Sequence, residues 1–292
     1  MLLKPECKSC ILKQAKTAAK LSGAGDGDIA EIVKEASVTI ESAPPEITAP
    51  ELAAVIYRRI GEITGVLDPY IEIKRNSLKS ALSVYPLIEE SVMASEDRLK
   101  AAFVAAAVGN IIDFGIPDIS FSPQAILEEF ENLTFAIDDY DELKEELFKA
   151  KKILFLADNA GEIVLDRLFL KWARENLEGK VIFAVRGGAV INDATREDAT
   201  ASGIDELAEV VDTGAGVPGA DLKTASEEFR KIFEESDLVI SKGQGNFEVL
   251  EGEEKNIFFI LKAKCDAVAD HLSVDKGSLI LLKSRADAPP PR

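Results

Sequence analysis

The stretch Ile153-Leu-Phe-Leu-Ala-Asp158-Asn159-Ala-Gly161-Glu162-Ile163 joins an apolar run typical of a buried strand to a polar turn and then to a helical pattern. In an open parallel sheet, ligands bind at the carboxyl ends of the strands, which is where Asp158 and Asn159 fall. Their oxygen atoms suit a hard divalent cation, and the N-terminus of the following helix suits an anion. The segment therefore predicts a parallel α/β fold that binds a divalent metal ion and a phosphorylated small molecule.

The same alternation of short apolar runs and helical stretches continues after about residue 125. The predicted strands are residues 135–137, 152–157, 180–185, 209–211, 238–240, 256–261 and 278–282. The helices between them are predicted at residues 140–150, 164–176, 196–201 and 220–235. This order predicts a mostly parallel sheet with helices on both faces, a three-layer α/β/α arrangement.

The first part of the chain carries apolar residues at three- and four-residue spacing, which predicts helices. Their expected bounds are residues 9–21, 26–41, 49–64, 71–90 and 96–112, with a kink or an end at Pro86. We therefore expect three regions. They are an all-helical N-terminal domain at residues 1–125, an α/β metal- and phosphate-binding domain at 126–283, and a Pro-rich disordered tail at 284–292.

Composition limits the class of partner. The chain has 52 acidic and 34 basic residues, for a net charge of −18, which disfavours nonspecific nucleic acid and anionic membranes. No apolar run approaches the roughly 18 residues of a membrane span, and the first residues do not resemble a signal peptide. We therefore expect a cytoplasmic protein that binds a small phosphorylated substrate, with no nucleic-acid or membrane partner; a homo-oligomer is compatible with the sequence.

Three further predicted strands end in polar turns. These turns are Arg186-Gly187-Gly188 with Asn192-Asp193, Lys242-Gly243-Gln244-Gly245-Asn246-Phe247-Glu248, and Lys262-Ala-Lys264-Cys265. If the strands are parallel, these three turns and the turn at Asp158 all lie at one edge of the sheet. Asp158, Asn159 and Asp193 would then offer oxygen ligands, while lysines and glycine amides would face a phosphate.

These motifs resemble the signatures of domain-of-unknown-function family 89. Its members include metal-dependent damage-control phosphatases and a proposed protein-glutamate carboxyl methyltransferase. Gly109-Asn110-Ile-Ile-Asp113 and Cys7-Lys-Ser-Cys10 also fit, and the latter resembles the prokaryotic subgroup. The resemblance runs in order from Cys7 to about Leu282.

The resemblance implies that Asp158, Asn159 and Asp193 hold the metal, and that residues 244–248 and Lys262 contact the substrate. The methyltransferase-like branch carries Arg-Thr-x-Lys at the last motif. This chain has Phe259-Ile-Leu-Lys262 at the corresponding place, without the Arg and the Thr. The substrate preference of that branch is therefore not expected here.

We predict a metal-dependent phosphatase, a phosphoric monoester hydrolase, that acts on sugar phosphates or damaged phospho-metabolites with magnesium, manganese, cobalt or nickel. Asp158, Asp193 and Lys262 are the predicted catalytic residues, and the nucleophile is either water or Asp158. The predicted substrate-binding residues are Gly161, Glu162, Arg186, Lys242, Gly243, Gln244, Gly245, Asn246, Glu248, Asn110 and Asp113. The alternatives are an S-adenosylmethionine-dependent carboxyl methyltransferase and a noncatalytic phospho-metabolite-binding protein.

Two weaker patterns remain. Residues 214–219 fit G-x-G-x-x-G, but the next strand does not end in an acidic residue, so we expect this loop to border the pocket rather than bind a nicotinamide cofactor. Cys7, Cys10, Cys265 and His271 are compatible with a zinc site, a redox pair or reduced structural thiols, and the sequence favours reduced thiols.

Overall fold

The computed structural model describes residues 1–111 and 123–284, and this part of the chain contains one seven-stranded sheet. The strands are β1 (Phe135–Asp138), β2 (Lys152–Leu156), β3 (Lys180–Val185), β4 (Glu209–Asp212), β5 (Leu238–Lys242), β6 (Ile257–Lys262) and β7 (Leu279–Lys283). Their spatial order is β1-β7-β6-β5-β2-β3-β4. Only the β6–β7 pair in this sheet is antiparallel, so the predicted mostly parallel sheet is confirmed.

Helices precede the sheet and alternate with its strands. They are α1 (Pro5–Leu21), α2 (Asp26–Glu41), α3 (Ala49–Thr64), α4 (Ile71–Ala94), α5 (Arg98–Ile111), α6 (Pro123–Asn132), α7 (Tyr140–Lys149), α8 (Ile163–Asn176), α9 (Arg196–Ser202), α10 (Glu227–Glu235), α11 (Gln244–Leu250) and α12 (Asp266–Leu272). None of the helices in the described ranges is long and apolar enough to cross a membrane.

Several predicted helix bounds were wrong, and two of the differences have a clear physical reason. Helix α4 continues through Pro86 to Ala94, because Pro86 lies on the exposed face, where solvent can hydrate the carbonyl left without an amide donor. Helix α10 begins at Glu227 rather than at residue 220, since the Ser226 hydroxyl accepts the backbone N–H of Phe229 and caps the helix there.

Alternate residues of each central strand enter different cores. Ile153 and Phe155 of β2 face the core that includes α4, α5, α7 and α8, whereas Leu154 and Leu156 face the core that includes α10, α11 and α12. Successive residues of a strand point to opposite faces of the sheet, and here both sets are apolar. This is what a sheet covered by helices on both faces requires. The predicted layer of helices on each face is confirmed.

Stacked phenylalanines join the preceding helices to the sheet. Phe103 of α5 stacks on Phe169 of α8, which stacks on Phe155 of β2, with centroid distances of 5.0 and 5.5 Å. Helices α1, α2 and α3 instead share a separate core, which Ile191 from the turn after β3 also contacts. The expected domain boundary near residue 125 remains a prediction, and tail residues 285–292 lie outside the described residues.

The sheet order determines where the four polar turns lie. Strands β6, β5, β2 and β3 are adjacent and parallel, so the turns that follow them emerge at the same edge. Asn246 ties these turns together from a fully buried position. Its amide nitrogen donates to the backbone carbonyls of Ala157 and Lys242, at 3.0 and 2.6 Å, and its oxygen accepts the N–H of Ala220 at 2.7 Å.

Replacing Asn246 by Leu should lower the free energy of unfolding by about 2–4 kcal/mol, since three buried backbone groups lose their partner. Urea unfolding monitored by circular dichroism measures this change. The control is Asn176→Leu, because Asn176 is exposed at the end of α8 and should change stability by less than about 0.5 kcal/mol. Equal losses in the two variants would contradict the joining role of Asn246.

Candidate functional site

A cavity of about 370 Å³ lies at the edge of the sheet where the four turns meet. Helices α1 and α3 close its opposite side through residues that include Cys10, Gln14 and Pro50. Among the predicted site residues, those that line the cavity are Asp158, Asn159, Gly161, Glu162, Asp193, Gln244, Gly245 and Glu248. The structure therefore brings residues from the turns after β2, β3 and β5 to one cavity.

The turns after β2 and β3 are joined by backbone pairing. Asn159 and Asp193 form an isolated antiparallel bridge, and the N–H of Ala194 donates to the carbonyl of Asp158 at 2.8 Å. This pairing extends the β2–β3 contact beyond the strands themselves. It holds the carboxylates of Asp158 and Asp193 at the same wall of the cavity.

Gly243 leaves the space that the Asp158 side chain occupies. Its φ is 87°, and a Cβ atom added there would lie 2.0 Å from Oδ2 of Asp158. Any other residue would be strained in this left-handed conformation and would also displace the carboxylate. The glycine is thus required by the position of Asp158, although Gly243 itself does not line the cavity.

The buried carboxylates interact strongly. Burial, together with the charges of Glu162 and Asp193, raises the pKa of Asp158 to about 7. Burial also raises the pKa of Asp193, against the opposing effect of Arg186, whose Nε donates to Oδ2 of Asp193 at 2.7 Å. The amide of Asn159 donates to Oε1 of Glu162 at 2.6 Å. Burial and mutual repulsion therefore both oppose ionisation of these carboxylates.

Two predicted substrate-binding cations lie behind this wall rather than in it. Lys242 is fully buried, with Nζ 2.8 Å from Oδ1 of Asp166 and 3.6 Å from Oε2 of Glu162. Arg186 is 1% exposed and binds Asp193, and its two terminal nitrogens have no hydrogen-bond partner in the described part of the chain. Both side chains compensate carboxylates from within the fold, and neither lines the cavity.

Asn246 likewise faces backbone groups instead of the cavity, because its amide is fully used in joining the turns. Lys262 still belongs to β6, in register with Leu279, so it is not placed in the turn and does not line the cavity. The cavity-lining lysine is Lys264, two residues later, and its charge lowers the pKa of Asp158. Lys264 belongs to the quoted motif but was not predicted as a site residue, because the sequence does not show that β6 continues through Lys262 and ends before Lys264.

The predicted pair Asn110 and Asp113 cannot be placed, because Asp113 and the side chain of Asn110 lie outside the described residues. The neighbouring Gly109 shows how close α5 comes to the turn after β2. A Cβ atom added to it would lie 3.3 Å from the Cα of Glu162, so the end of α5 closely approaches the turn after β2.

The donor set fits a hard divalent cation. Asp158, Asn159 and Asp193 offer carboxylate and amide oxygens, and a cation would relieve the repulsion that raises the pKa of Asp158. Within residues 1–111 and 123–284, no three His, Cys, Asp or Glu side chains are grouped as a ready metal site. The metal assignment therefore depends on the Asn159 amide as the third ligand.

The glycines of residues 214–219 serve packing between turns. A Cβ atom at Gly214 would lie 2.6 Å from the Cβ of Ser226, and one at Gly219 would lie 2.5 Å from the carbonyl oxygen of Gly245. Pro218 from this loop lines the cavity, as expected for a bordering loop. Since Gly214 and Gly219 are packed against protein atoms, they do not form an open phosphate-binding turn.

Comparisons with known proteins agree with this architecture. The sequence profile of the "Damage-control phosphatase ARMT1-like domain" matches residues 3–280. A damage-control phosphatase of Pyrococcus horikoshii is 35% identical, over 98% of this chain and 99% of that protein. A damage-control phosphatase of Archaeoglobus fulgidus is also 35% identical, over 96% and 98% of the two chains. The crystal structure of a family 89 protein from P. horikoshii superimposes with a TM-score of 0.90 at 33% identity, covering 98% of this chain and all of that chain.

The variant Asp158→Asn should be more stable than the wild-type protein when divalent cations are removed by a chelator. The folded state retains a proton on Asp158 up to a pKa of about 7, whereas the ordinary value is 3.8, so wild-type stability falls as pH rises through this window. At about pH 8 the variant should gain at least ~1 kcal/mol, the equivalent of roughly one pKa unit.

Denaturant unfolding across the pH range measures this gain, which should disappear as the pH falls below the ordinary carboxyl value. The matched control is Asp205→Asn, which neutralises an exposed carboxylate and should leave stability nearly unchanged. An Asp158→Asn variant that is less stable than the wild type at neutral pH would contradict the proposed charge repulsion.

Proposed function

The chain belongs to the damage-control phosphatase ARMT1-like family, domain-of-unknown-function family 89, and on that premise we propose that it is a metal-dependent phosphatase of small phosphate esters. The observation that carries this proposal is that Asp158, Asn159, Asp193 and Lys264 line one cavity. Oxygen ligands for a cation and a cation for the phosphoryl oxygens are the two requirements of phosphoryl transfer.

Asp158, Asn159 and Asp193 would hold the divalent ion, which is magnesium, manganese, cobalt or nickel. When bound, the ion supplies Lewis-acid stabilisation of charge on the phosphoryl group. Lys264 neutralises further charge on that group as the bond to the leaving oxygen breaks. The N–H of Lys264 donates to Oε1 of Gln244 at 3.0 Å, which anchors the start of the turn that carries this lysine.

Water is the proposed nucleophile, and a cavity carboxylate such as Glu162 accepts its proton. Direct attack by Asp158 is the competing route. Arg186 and Lys242 act indirectly, because they hold Asp193 and Glu162 from behind and reduce the cost of burying these carboxylates. Burial of Asp158, Glu162 and Asp193 limits the movement of these side chains, which favours a single productive geometry.

The cavity suits a small substrate. Its volume of about 370 Å³ accommodates one sugar phosphate or a damaged phospho-metabolite of similar size. The cavity is also lined by Ile11, Ala53 and Ile191, so part of the organic group would contact apolar atoms. The relatives named damage-control phosphatases support hydrolysis over the methyltransferase and noncatalytic alternatives.

The proposal is tested by hydrolysis of an aryl phosphate by protein treated with a chelator and then resupplied with magnesium, manganese, cobalt or nickel. We expect activity to return with at least one metal and to fall by at least ~100-fold in Asp158→Ala and Asp193→Ala, because each removes a metal ligand. Circular dichroism verifies that both variants are folded. Full metal-dependent hydrolysis by Asp193→Ala would exclude the proposed ligand set.

The two lysines of the last motif provide a matched comparison. Lys264→Ala should lower kcat/KM by about 100-fold, because the cavity loses a cation that stabilises charge in the transition state. Lys262→Ala should remain within ~3-fold of the wild type, since this side chain does not line the cavity. Steady-state kinetics at saturating metal measure kcat/KM for both variants. A larger loss in Lys262→Ala than in Lys264→Ala would return the catalytic role to Lys262, as the sequence alone predicted.

A further inference from the structure

All three cysteines of the chain line the cavity that holds the carboxylates. Cys7 and Cys10 come from α1, and Cys265 follows Lys264 after β6. Chain segments separated by more than two hundred residues thus bring thiols to the cavity of the candidate active site. The proposed phosphoryl transfer uses none of them.

A zinc site of three thiolates and one imidazole, which the sequence allowed, lacks its fourth ligand. Nε2 of His271 lies 2.5 Å from Oε2 of Glu251, and His271 does not line the cavity. The three cysteines are free in the described structure. Their convergence therefore needs another explanation.

Hydrogen bonds orient two of the thiols. Nε2 of Gln14 donates to Sγ of Cys10 at 3.6 Å, and Nε2 of Gln244 donates to Sγ of Cys265 at 3.4 Å. Because Oε1 of Gln244 accepts the N–H of Lys264, the orientation of this amide is determined. Cys10 and Cys265 are thus held by amide donors that would also stabilise a thiolate.

Geometry distinguishes between the two pairs that Cys10 could form. Cys7 and Cys10 are three residues apart within α1, and Cβ atoms at this spacing are about 5–6 Å apart, beyond the ~3.5–4.5 Å that a disulfide requires. A bond between them would need the first turns of the helix to unwind. Cys265 lies outside helix α12, at its N-cap, so a bond from Cys10 to Cys265 leaves both helices intact.

We propose that Cys10 and Cys265 form a reversible oxidation site, in which a peroxide converts the two thiols into a disulfide that links α1 to the turn carrying Lys264. One thiolate attacks the peroxide, which leaves a sulfenic acid and releases one molecule of water or alcohol. The second thiol then displaces hydroxide from that sulfur as water, and the S–S bond forms. A dithiol reductant reverses the reaction.

The oxidation should be slow at neutral pH and faster in alkaline solution. Burial raises the pKa of Cys10, and the charge of Cys265 adds to this effect, so the thiolate fraction is small near neutrality. The site therefore differs from a fast peroxide sensor, and it would respond to sustained oxidising conditions.

The crosslink itself is tested without any enzymatic assay. The full chain, free of added metal, is treated with hydrogen peroxide, and its peptides are mapped by mass spectrometry without reduction. We expect a Cys10–Cys265 linked peptide, loss of two of the three free thiols and full recovery with dithiothreitol. Cys7→Ser should still form the link, whereas Cys10→Ser and Cys265→Ser should not.

Three outcomes would overturn the proposal: a Cys7–Cys10 peptide as the main product, retention of all three free thiols, or irreversible sulfinic acid without a crosslink. Bound zinc detected in the purified protein, released as the thiols become reactive, would favour the metal site instead. Each variant is compared in its reduced form and after oxidation, so that a folding defect is detected before peroxide is added.

The effect on catalysis rests on the proposed function. A disulfide would draw Cys265 away from Gln244 and restrict the turn that carries Lys264, so aryl phosphate hydrolysis should fall about tenfold on oxidation and return on reduction. Crosslinking without a change in hydrolysis would remove the regulatory consequence. Absence of hydrolysis even in the reduced protein would instead count against the proposed function and leave the oxidation site intact.

Discussion

The repulsion between buried carboxylates is the constraint on which the site depends. Asp158 and Asp193 lie at the same cavity wall because the turns after β2 and β3 are paired through their backbones. Burial and proximity raise the pKa of Asp158 to about 7. A cation bound between these residues would relieve an energetic cost that the fold carries without it, which is a common property of sites organised for binding rather than for stability.

The surrounding structure reduces that cost from behind. Arg186 binds Asp193, while Lys242 lies between Glu162 and Asp166 in the interior. Burying a cation beside each carboxylate costs desolvation energy, so these ion pairs are not an efficient source of stability. The ion pairs of Arg186 and Lys242 instead fix positions, because they restrain Asp193 and Glu162, which line the cavity.

Enclosure comes from the N-terminal helices. Cavity-lining residues of α1 and α3 face the carboxylates across about 370 Å³, and Ile191 from the turn after β3 packs into the core of these helices. Ile191 has a φ of 45°, an unusual conformation for a β-branched residue, and such strain is found where surrounding contacts impose it. The position of the helices over the sheet is therefore coupled to the turn that carries Asp193.

The sequence by itself determined the approximate strands, the mostly parallel character of the sheet and the group of polar turns, because apolar periodicity and turn chemistry are local properties. The predicted location of Asp158, Asn159 and Asp193 at the carboxyl edge of the sheet follows from these local patterns. Only the tertiary structure decided that Lys264 lines the cavity and Lys262 does not, because the end of β6 depends on its pairing with β7. Likewise, only packing between distant segments placed Lys242 and Asn246 in the interior and brought three cysteines to one cavity, because such contacts leave no local pattern in the sequence.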